Sequence, residues 1–205
     1  MNLIYDDLNH QYSLELGGET PPVPLMSVTQ ILRAADMYGY PKTSVNVEKM
    51  NYGTHVHKIT EMYDMKTIDV PDLLDDDRFY LTAYKRFQED FGFVPSLSET
   101  KFFHPVYFYA GTIDRYGAMR DNGYVIIDIK TGRPHPCSIL QLAAYREMLI
   151  VNGHPVRKAY AVYLDSSGEY KAVEAPPGPE PFETFLSALR IVRWKKENNI
   201  GRSNY

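Results

Sequence analysis

Residues 110–148 read AGTIDRYGAMRDNGYVIIDIKTGRPHPCSILQLAAYREM, and the fold turns on them. Two β-like runs, Tyr107 to Met119 and Tyr124 to Thr131, flank Arg120-Asp121-Asn122-Gly123. Asn-Gly between β-rich runs is a strong hairpin signal. The second run begins Tyr124-Val125-Ile126-Ile127, aromatic and β-branched like a buried strand. Asp128 and Lys130 follow directly, on one face because side chains alternate along a strand. Buried charge is costly unless it is paired or bound to a metal. Two readings stay open for this triplet: an exposed ion pair at a strand end, or a metal-dependent active site. Asp114, closing the neighbouring apolar run, bears on the choice.

Register tests the second reading. A five-residue loop, Met119 to Gly123, pairs Ala118 with Tyr124 and sets Asp114 opposite Asp128. A three-residue loop, Asp121 to Gly123, sets Asp114 opposite Lys130. Both odd lengths put Asp114, Asp128 and Lys130 on one face. A two-residue Asn122-Gly123 turn would invert Asp114, since a one-residue slip flips every side chain. Carboxylates directly across strands repel at Cβ separations of about 4.5–5.5 Å, and a divalent cation between them removes the penalty. The odd-length loop is therefore expected.

Gly111-Thr112-Ile113-Asp114, Asp128-Ile129-Lys130-Thr131-Gly132 and Gln141-x-x-x-Tyr145, in this order and spacing, resemble the PD-(D/E)XK nuclease superfamily. The pattern is most similar to its RecB-like branch of phage and bacterial recombination exonucleases. Ile113 stands where the superfamily name has Pro. The resemblance implies an α/β, restriction-endonuclease-like core: a mixed central β-sheet flanked by helices. It implies catalytic roles for Asp114, Asp128, Lys130, Gln141 and Tyr145, and a main-chain ligand at the Ile129 carbonyl.

At 205 residues the chain is long enough for one sizeable core, and a single nuclease domain over 1–205 is expected. Within it, 1–42 form an N-terminal hairpin and helix, 43–173 the catalytic core, and 174–205 a linker and C-terminal helix. Apolar content of 44% and charge of 23% are ordinary for a soluble globular protein. No apolar run approaches the length of a membrane span, and no signal-peptide pattern opens the chain. Cys137 is the only cysteine, which rules out an intramolecular disulfide and a four-cysteine iron–sulphur cluster. It fits the reducing cytoplasm, the host's if the source is viral. Net charge is −4, but residues 1–129 hold 11 Lys+Arg against 19 Asp+Glu, and 130–205 hold 11 against 7. Any phosphate-facing surface is expected to draw on the C-terminal part.

Outward from the central stretch, Leu3–Tyr5 and Tyr12–Leu16 read as a short hairpin, ended by Gly17-Gly18 and a Pro-rich loop at 21–24. Ser27, with Gln30 three residues on, reads as a capping box for a helix to Ala35; hairpin and helix loosely resemble RecB-like and mitochondrial-type exonucleases. From Thr43 to Met65 the pattern suggests one long helix, or two broken near Asn51-Tyr52-Gly53. His57 and Glu61 share a helix face there. Alone, such a histidine is usually a hydrogen-bonded core residue; G-x-x-x-H-x-x-x-E resembles the RecB-like branch, where the histidine is a metal ligand. His55 points elsewhere, to surface or packing.

Asp75-Asp76-Asp77, in an acidic loop at 70–77, reads as a solvated helix start. Arg78 to Phe91 reads as a helix with Phe79, Ala83, Phe87 and Phe91 inward, ended by Gly92. Glu99, on a strand from Ser96 to Phe103, resembles an acid of the same branch. It serves the metal site through water or pairs with Lys101 or Arg115. After the central hairpin, Ser138 reads as a helix cap, with Leu142, Leu149 and Ile150 packing inward. Lys158–Leu164 and Glu169–Val173 are further strands. Phe182–Glu197 is a final helix, with Phe185, Leu189 and Val192 inward and Arg190, Arg193, Lys195 and Lys196 outward.

The chemistry implied is phosphodiester hydrolysis with one or two Mg²⁺ or Mn²⁺ ions, since carboxylates are hard oxygen donors. His57, Asp114, Asp128 and the Ile129 carbonyl form the expected ligand set, with Glu61 and Glu99 near it. Lys130 can orient or deprotonate a water and offset transition-state charge, with neighbouring cations lowering its pKa. Arg115, Thr131, Arg133 and Arg146 are the candidates for DNA contacts. The expected partner is DNA, single-stranded or at duplex ends, with a recombination or replication protein as a further candidate. RNA and the oligomeric state stay open. A non-catalytic binding or assembly subunit and a hydrolase of another phosphodiester are the rival readings.

Overall fold

The computed structural model describes residues 1–18, 20–39, 47–68 and 73–200. Strands β1 (Asn2–Asp6) and β2 (Gln11–Glu15) form the opening hairpin, with Asp6 Oδ1 accepting from the Leu8 and Asn9 amides in its turn. The Pro-rich run after it is only partly a loop. Val23–Ser27 forms a third strand, β3, antiparallel to β2. Proline fixes an extended-compatible φ, and Leu25 gains burial against Tyr12, Leu14 and Ala110. Burial of Leu25 decides the strand where composition suggests a loop.

Helix α1 (Val28–Ala34) begins at Ser27, whose Oγ accepts from the Gln30 amide at 3.1 Å while Gln30 Oε1 accepts from the Ser27 amide at 2.9 Å. The capping box is present in full. Helix α2 (Val47–Asp64) runs unbroken through Gly53. The expected start of that helix at 43–46 and the acidic loop at 70–72 lie outside the described residues. Helix α3 (Asp75–Phe91) ends at Gly92, in the left-handed conformation (φ 56°). Its inward face is Leu81, Ala83, Tyr84 and Phe87, whereas Phe79 is 46% exposed. A strict four-residue repeat outruns the 3.6-residue turn by about 40° per step, so such a stripe leaves the buried face within three steps.

Strand β4 (Val94–Phe103) pairs antiparallel with β5 (Tyr109–Met119), which pairs antiparallel with β6 (Gly123–Lys130). The turn pairs Ala118 with Tyr124 and Met119 with Gly123, leaving Arg120, Asp121 and Asn122 as its loop. This is the register that sets Asp114 opposite Asp128, one rung beyond the last paired residues, Arg115 and Ile127. Helix α4 (Cys137–Val151) then crosses to β7 (Lys158–Leu164), parallel to β6. Pro136, not Ser138, occupies the N-cap. Ser138 is buried inside the first turn, its Oγ accepting from the Tyr163 hydroxyl at 2.9 Å. Ile150, expected inside, is 40% exposed. Strand β8 (Tyr170–Glu174) pairs antiparallel with β7, and helix α5 (Glu180–Glu197) closes the described chain with Phe185, Leu189 and Val192 buried. Arg193 is not simply outward: it donates to the Tyr107 and Phe108 carbonyls.

Among the described residues, eight strands form one mixed sheet, ordered β1-β2-β3-β5-β6-β7-β8 with β4 on β5. Helices α1, α4 and α5 cover one face, against Ile113, Ile126 and Ala161. Helices α2 and α3 cover the other, against Val125, Ile127, Ile129 and Val162. Alternation along β6 therefore sends Ile126, Asp128 and Lys130 towards α4.

The edge of β5 opposite β4 is shared. β6 pairs with it from Arg115 to Met119, and β3 pairs with it at Tyr109 and Ala110. Between them, residues 111–114 lie at a fork where two strands diverge. The Gly-Thr-Ile-Asp run occupies this fork.

Candidate functional site

Asp114 substitutes for the missing ladder rung at the fork. Its Oδ2 accepts from the Ile129 amide at 2.7 Å, where a backbone carbonyl would otherwise serve. That bond fixes a buried carboxylate against the end of β6. Asp128, 1% exposed, lies across the strand pair. Its Oδ2 is 2.9 Å from Lys130 Nζ, and its Oδ1 accepts from Gln141 Nε2 at 3.2 Å. The contact to Lys130 is close but misaligned, so Oδ2 has no hydrogen bond of good geometry.

From the α4 side, Gln141 binds three groups at once. Its Oε1 accepts from Lys130 Nζ at 3.1 Å, and its Nε2 donates to Asp128 and, at 3.1 Å, to the Tyr145 hydroxyl. The i,i+4 spacing of Gln141 and Tyr145 makes this chain local to one helix face. Tyr145 lies over Gly111 so closely that a Cβ there would fall 2.6 Å from its Cε1. The glycine of the Gly-Thr-Ile-Asp run is thus set by the tyrosine of the later helix.

From the α2 side comes His57. Its Nε2 is 2.9 Å from the Ile129 carbonyl oxygen, and its Nδ1 is 3.3 Å from Glu99 Oε1 and 3.6 Å from Asp114 Oδ2. All three are acceptors, and together they favour the protonated ring. Burial opposes that charge, but Asp114 and Glu99 outweigh it and raise the histidine to about 9. Glu99 holds a left-handed backbone (φ 44°), costing about 1–3 kcal/mol for a side chain of this kind. Such strain concentrates where surrounding contacts over-determine a residue's position.

Burial raises both Asp114 and Asp128 above the ordinary carboxylate range, against the pull of His57 on the first and Lys130 on the second. Burial alone would lower Lys130, but Asp128 and Asp114 reverse it and hold the ammonium form. This differs from the lowered pKa expected of a lysine among cations: its neighbours here are acids.

These side chains suit a divalent cation. His57, Glu99 and Asp114 bring one ligand atom each within 4.8 Å of one another. Among the described residues, the acids Asp64, Glu99, Asp114 and Asp128 pair with Arg115, Lys130 and the His57 ring. The Ile129 carbonyl and the poorly bonded Asp128 Oδ2 add oxygen donors. Hard oxygen ligands with one imidazole fit a divalent cation.

Several sequence-derived candidates lie elsewhere. Glu61 pairs with Lys58 at 2.7 Å rather than turning to the site. The working row of α2 is His57, Thr60 and Asp64, not His57 and Glu61. Arg115, a candidate for DNA, has no exposed surface: its Nε binds Asp64 at 2.6 Å and its Nη1 binds Glu99 at 3.1 Å. A phosphate cannot reach it. Arg146 lines a separate cavity with Arg157 and Lys158, at the start of β7 and so at the other end of the strand pair from Lys130. Thr131 is half-buried beside Gly53, and Arg133 is exposed. Lys101 lies over the Tyr5 ring, leaving Glu99 to Arg115 and His57. His55 Nε2 donates to Asp77 Oδ2 at 3.1 Å, and Asp77 is buried rather than solvated. Asp64, Thr60 and Tyr84 were not singled out by sequence. The i, i+3, i+7 row through His57 is the signal that could have found the first two.

No family model matches the sequence, and no curated protein matches it. Solved structures do. The chain is similar to a putative exonuclease from Eubacterium rectale, at 12% identity over 86% of this chain and 82% of that one, with a TM-score of 0.52. It is also similar to the alkaline exonuclease LHK-Exo from Laribacter hongkongensis (14% identity, 86% and 89% covered, TM-score 0.48). A third likeness is to SSO0001 (14% identity, 93% and 82% covered, TM-score 0.44). The likeness to the Eubacterium rectale structure shows a shared fold, a mixed sheet flanked by helices on both faces.

Proposed function

We propose that this chain is a divalent-metal-dependent deoxyribonuclease, an exonuclease rather than a site-specific endonuclease, acting in recombination, repair or phage DNA processing. The observation that carries the reading is the convergence on one fork of Asp114, Asp128, Lys130, His57 and Gln141 from two strands and two helices. An exonuclease is favoured because no segment of the sequence resembles a base-reading module.

Asp114, Asp128, the Ile129 carbonyl and His57 would hold the cation, with Glu99 beside them. When bound, Mg²⁺ or Mn²⁺ supplies charge neutralisation at the phosphate and a more acidic water. Lys130 uses one contact on Asp128 and one on Gln141. An ammonium has three donors, so one is left for the attacked phosphate or the attacking water, and the Lys130 side chain is 28% exposed. Gln141 keeps Lys130 and Asp128 in fixed relation, and Tyr145 fixes Gln141. Arginine at 130 would not substitute, because its planar fork does not reproduce the compact ammonium's contacts to Asp128 and Gln141. Thr131 and Arg133, just beyond the lysine, would contact the DNA strand.

The test is cleavage of labelled single- and double-stranded DNA by purified protein in Mg²⁺, Mn²⁺ or EDTA. Cleavage is expected with metal alone, and Asp128→Ala and Lys130→Ala should each abolish it while DNA binding persists. Binding without cleavage by the unaltered protein would favour a non-catalytic subunit. Metal-dependent cleavage surviving in Lys130→Ala would remove the lysine from the chemistry.

A further inference from the structure

Beneath the fork lies a second set of charges, centred on a fully buried arginine. Arg115 projects from β5 with no exposed surface and spreads its donors over three elements. Nε binds Asp64 on α2 at 2.6 Å, and Nη1 binds Glu99 on β4 at 3.1 Å and the Asp114 carbonyl at 2.5 Å. Nη2 binds Thr60 Oγ1 at 2.9 Å and approaches the His57 carbonyl at 3.5 Å. Thr60 in turn donates to that same carbonyl at 2.9 Å. Asp64 is held further by the Tyr84 hydroxyl on the same Oδ2 and by Gln88 Nε2 on Oδ1, each at 2.8 Å.

We infer that Arg115, anchored by Asp64, is a positioning residue that sets the spacing of His57, Glu99 and Asp114 for cation binding; this rests on the metal-dependent reading of the site. A guanidinium is suited to the task because its donors form a rigid planar fork. The residues it holds are the three whose ligand atoms cluster within 4.8 Å. Glu99 shows the division of labour most plainly, since the same Oε1 contacts Arg115 and His57. The strained Glu99 backbone is thereby held by a charge on either side. Lysine at 115 would keep the charge but cannot reach Asp64, Glu99, Thr60 and the Asp114 carbonyl together.

Mn²⁺ binding is measured by calorimetry on wild type, Arg115→Lys, Glu99→Gln and the double variant, with thermal denaturation in EDTA as the control for folding. Arg115→Lys is expected to weaken Mn²⁺ binding about 10–100-fold, the usual cost of removing a group that orients a metal ligand. Because the clamp acts partly through Glu99, the double variant should lose less than the product of the two single losses. Wild-type affinity in a folded Arg115→Lys protein, or losses that multiply, overturns the inference. If Arg115→Lys does not fold, Asp64→Asn, which keeps the shape and removes the anchoring charge, carries the same expectation and the same refutation. Unaltered protein that binds no Mn²⁺ refutes the metal-dependent reading itself, and the clamp with it.

Discussion

Gly111→Ala should disable the site without touching any polar group in it. The added methyl would sit 2.6 Å from Tyr145 Cε1 and 3.5 Å from Met148 Cε. Carbon atoms pack at about 3.5–4.0 Å, so the ring must retreat by about 1 Å. It has little room, being 5% exposed among Leu142, Ala144 and Met148. Overpacking of this kind costs about 1–3 kcal/mol. In a chain of this size that lowers the melting temperature by about 2–4 °C per kcal/mol. The larger effect is on geometry. Tyr145 holds Gln141, and Gln141 holds both Asp128 and Lys130, at 3.1, 3.2 and 3.1 Å. A displacement of about 1 Å in a catalytic arrangement costs about 100-fold in rate. The assay is paired: melting temperature by circular dichroism, and initial rate of DNA cleavage in Mg²⁺. Adding Tyr145→Leu to Gly111→Ala should recover stability but not rate, because it relieves the clash and leaves Gln141 unheld. Gly111→Ala with unchanged melting and rate would show that the Tyr145–Gly111 contact does not constrain the site.

Three further outcomes follow from separate parts of the molecule. Saturating Mn²⁺ at 100 times its dissociation constant should stabilise the protein by about 2.7 kcal/mol, reversed by EDTA and reduced in Asp114→Asn; melting scans read it. Ser27→Ala removes the acceptor for the Gln30 amide, and urea titration should show a loss of about 1 kcal/mol with the cleavage rate intact. His104 is buried, its Nδ1 accepting from the Val106 and Tyr107 amides, and burial lowers its pKa. Below the unfolded value of about 6.5 the unfolded chain takes up a proton that the folded one resists, so stability should fall as pH drops through that point. Above it His104 adds no slope. In His104→Gln the acid-side slope measured by urea titration should be shallower; an unchanged slope would assign it to other groups.

The acids of the site were legible because each reports on its own strand. Alternation put Asp128 and Lys130 on one face, and counting across an odd-length turn put Asp114 opposite one or the other; the pairing of Ala118 with Tyr124 selects Asp128. The Ser27 capping box and the Gly92 helix stop were equally local. Arg115 was misread for the opposite reason. An arginine beside an acid in a strand is indistinguishable, in one dimension, from a surface cation. Its burial is decided by Asp64, Tyr84 and Glu99, which arrive from α2, α3 and β4.

The same division runs through the whole chain. By itself the sequence determined what periodicity and turn chemistry control: the odd length of the turn, the Ser27 cap and the Gly92 stop, the alternation that groups the motif residues, and the resemblance these motifs carry. Only the tertiary structure decided which elements meet at the fork: that β3 joins β5 below β6, that α2 offers His57, Thr60 and Asp64 rather than Glu61, and that Glu99 serves His57 and Arg115 together. Contacts between residues far apart in the chain depend on how whole faces pack, and no local pattern encodes which partner a buried charge will find.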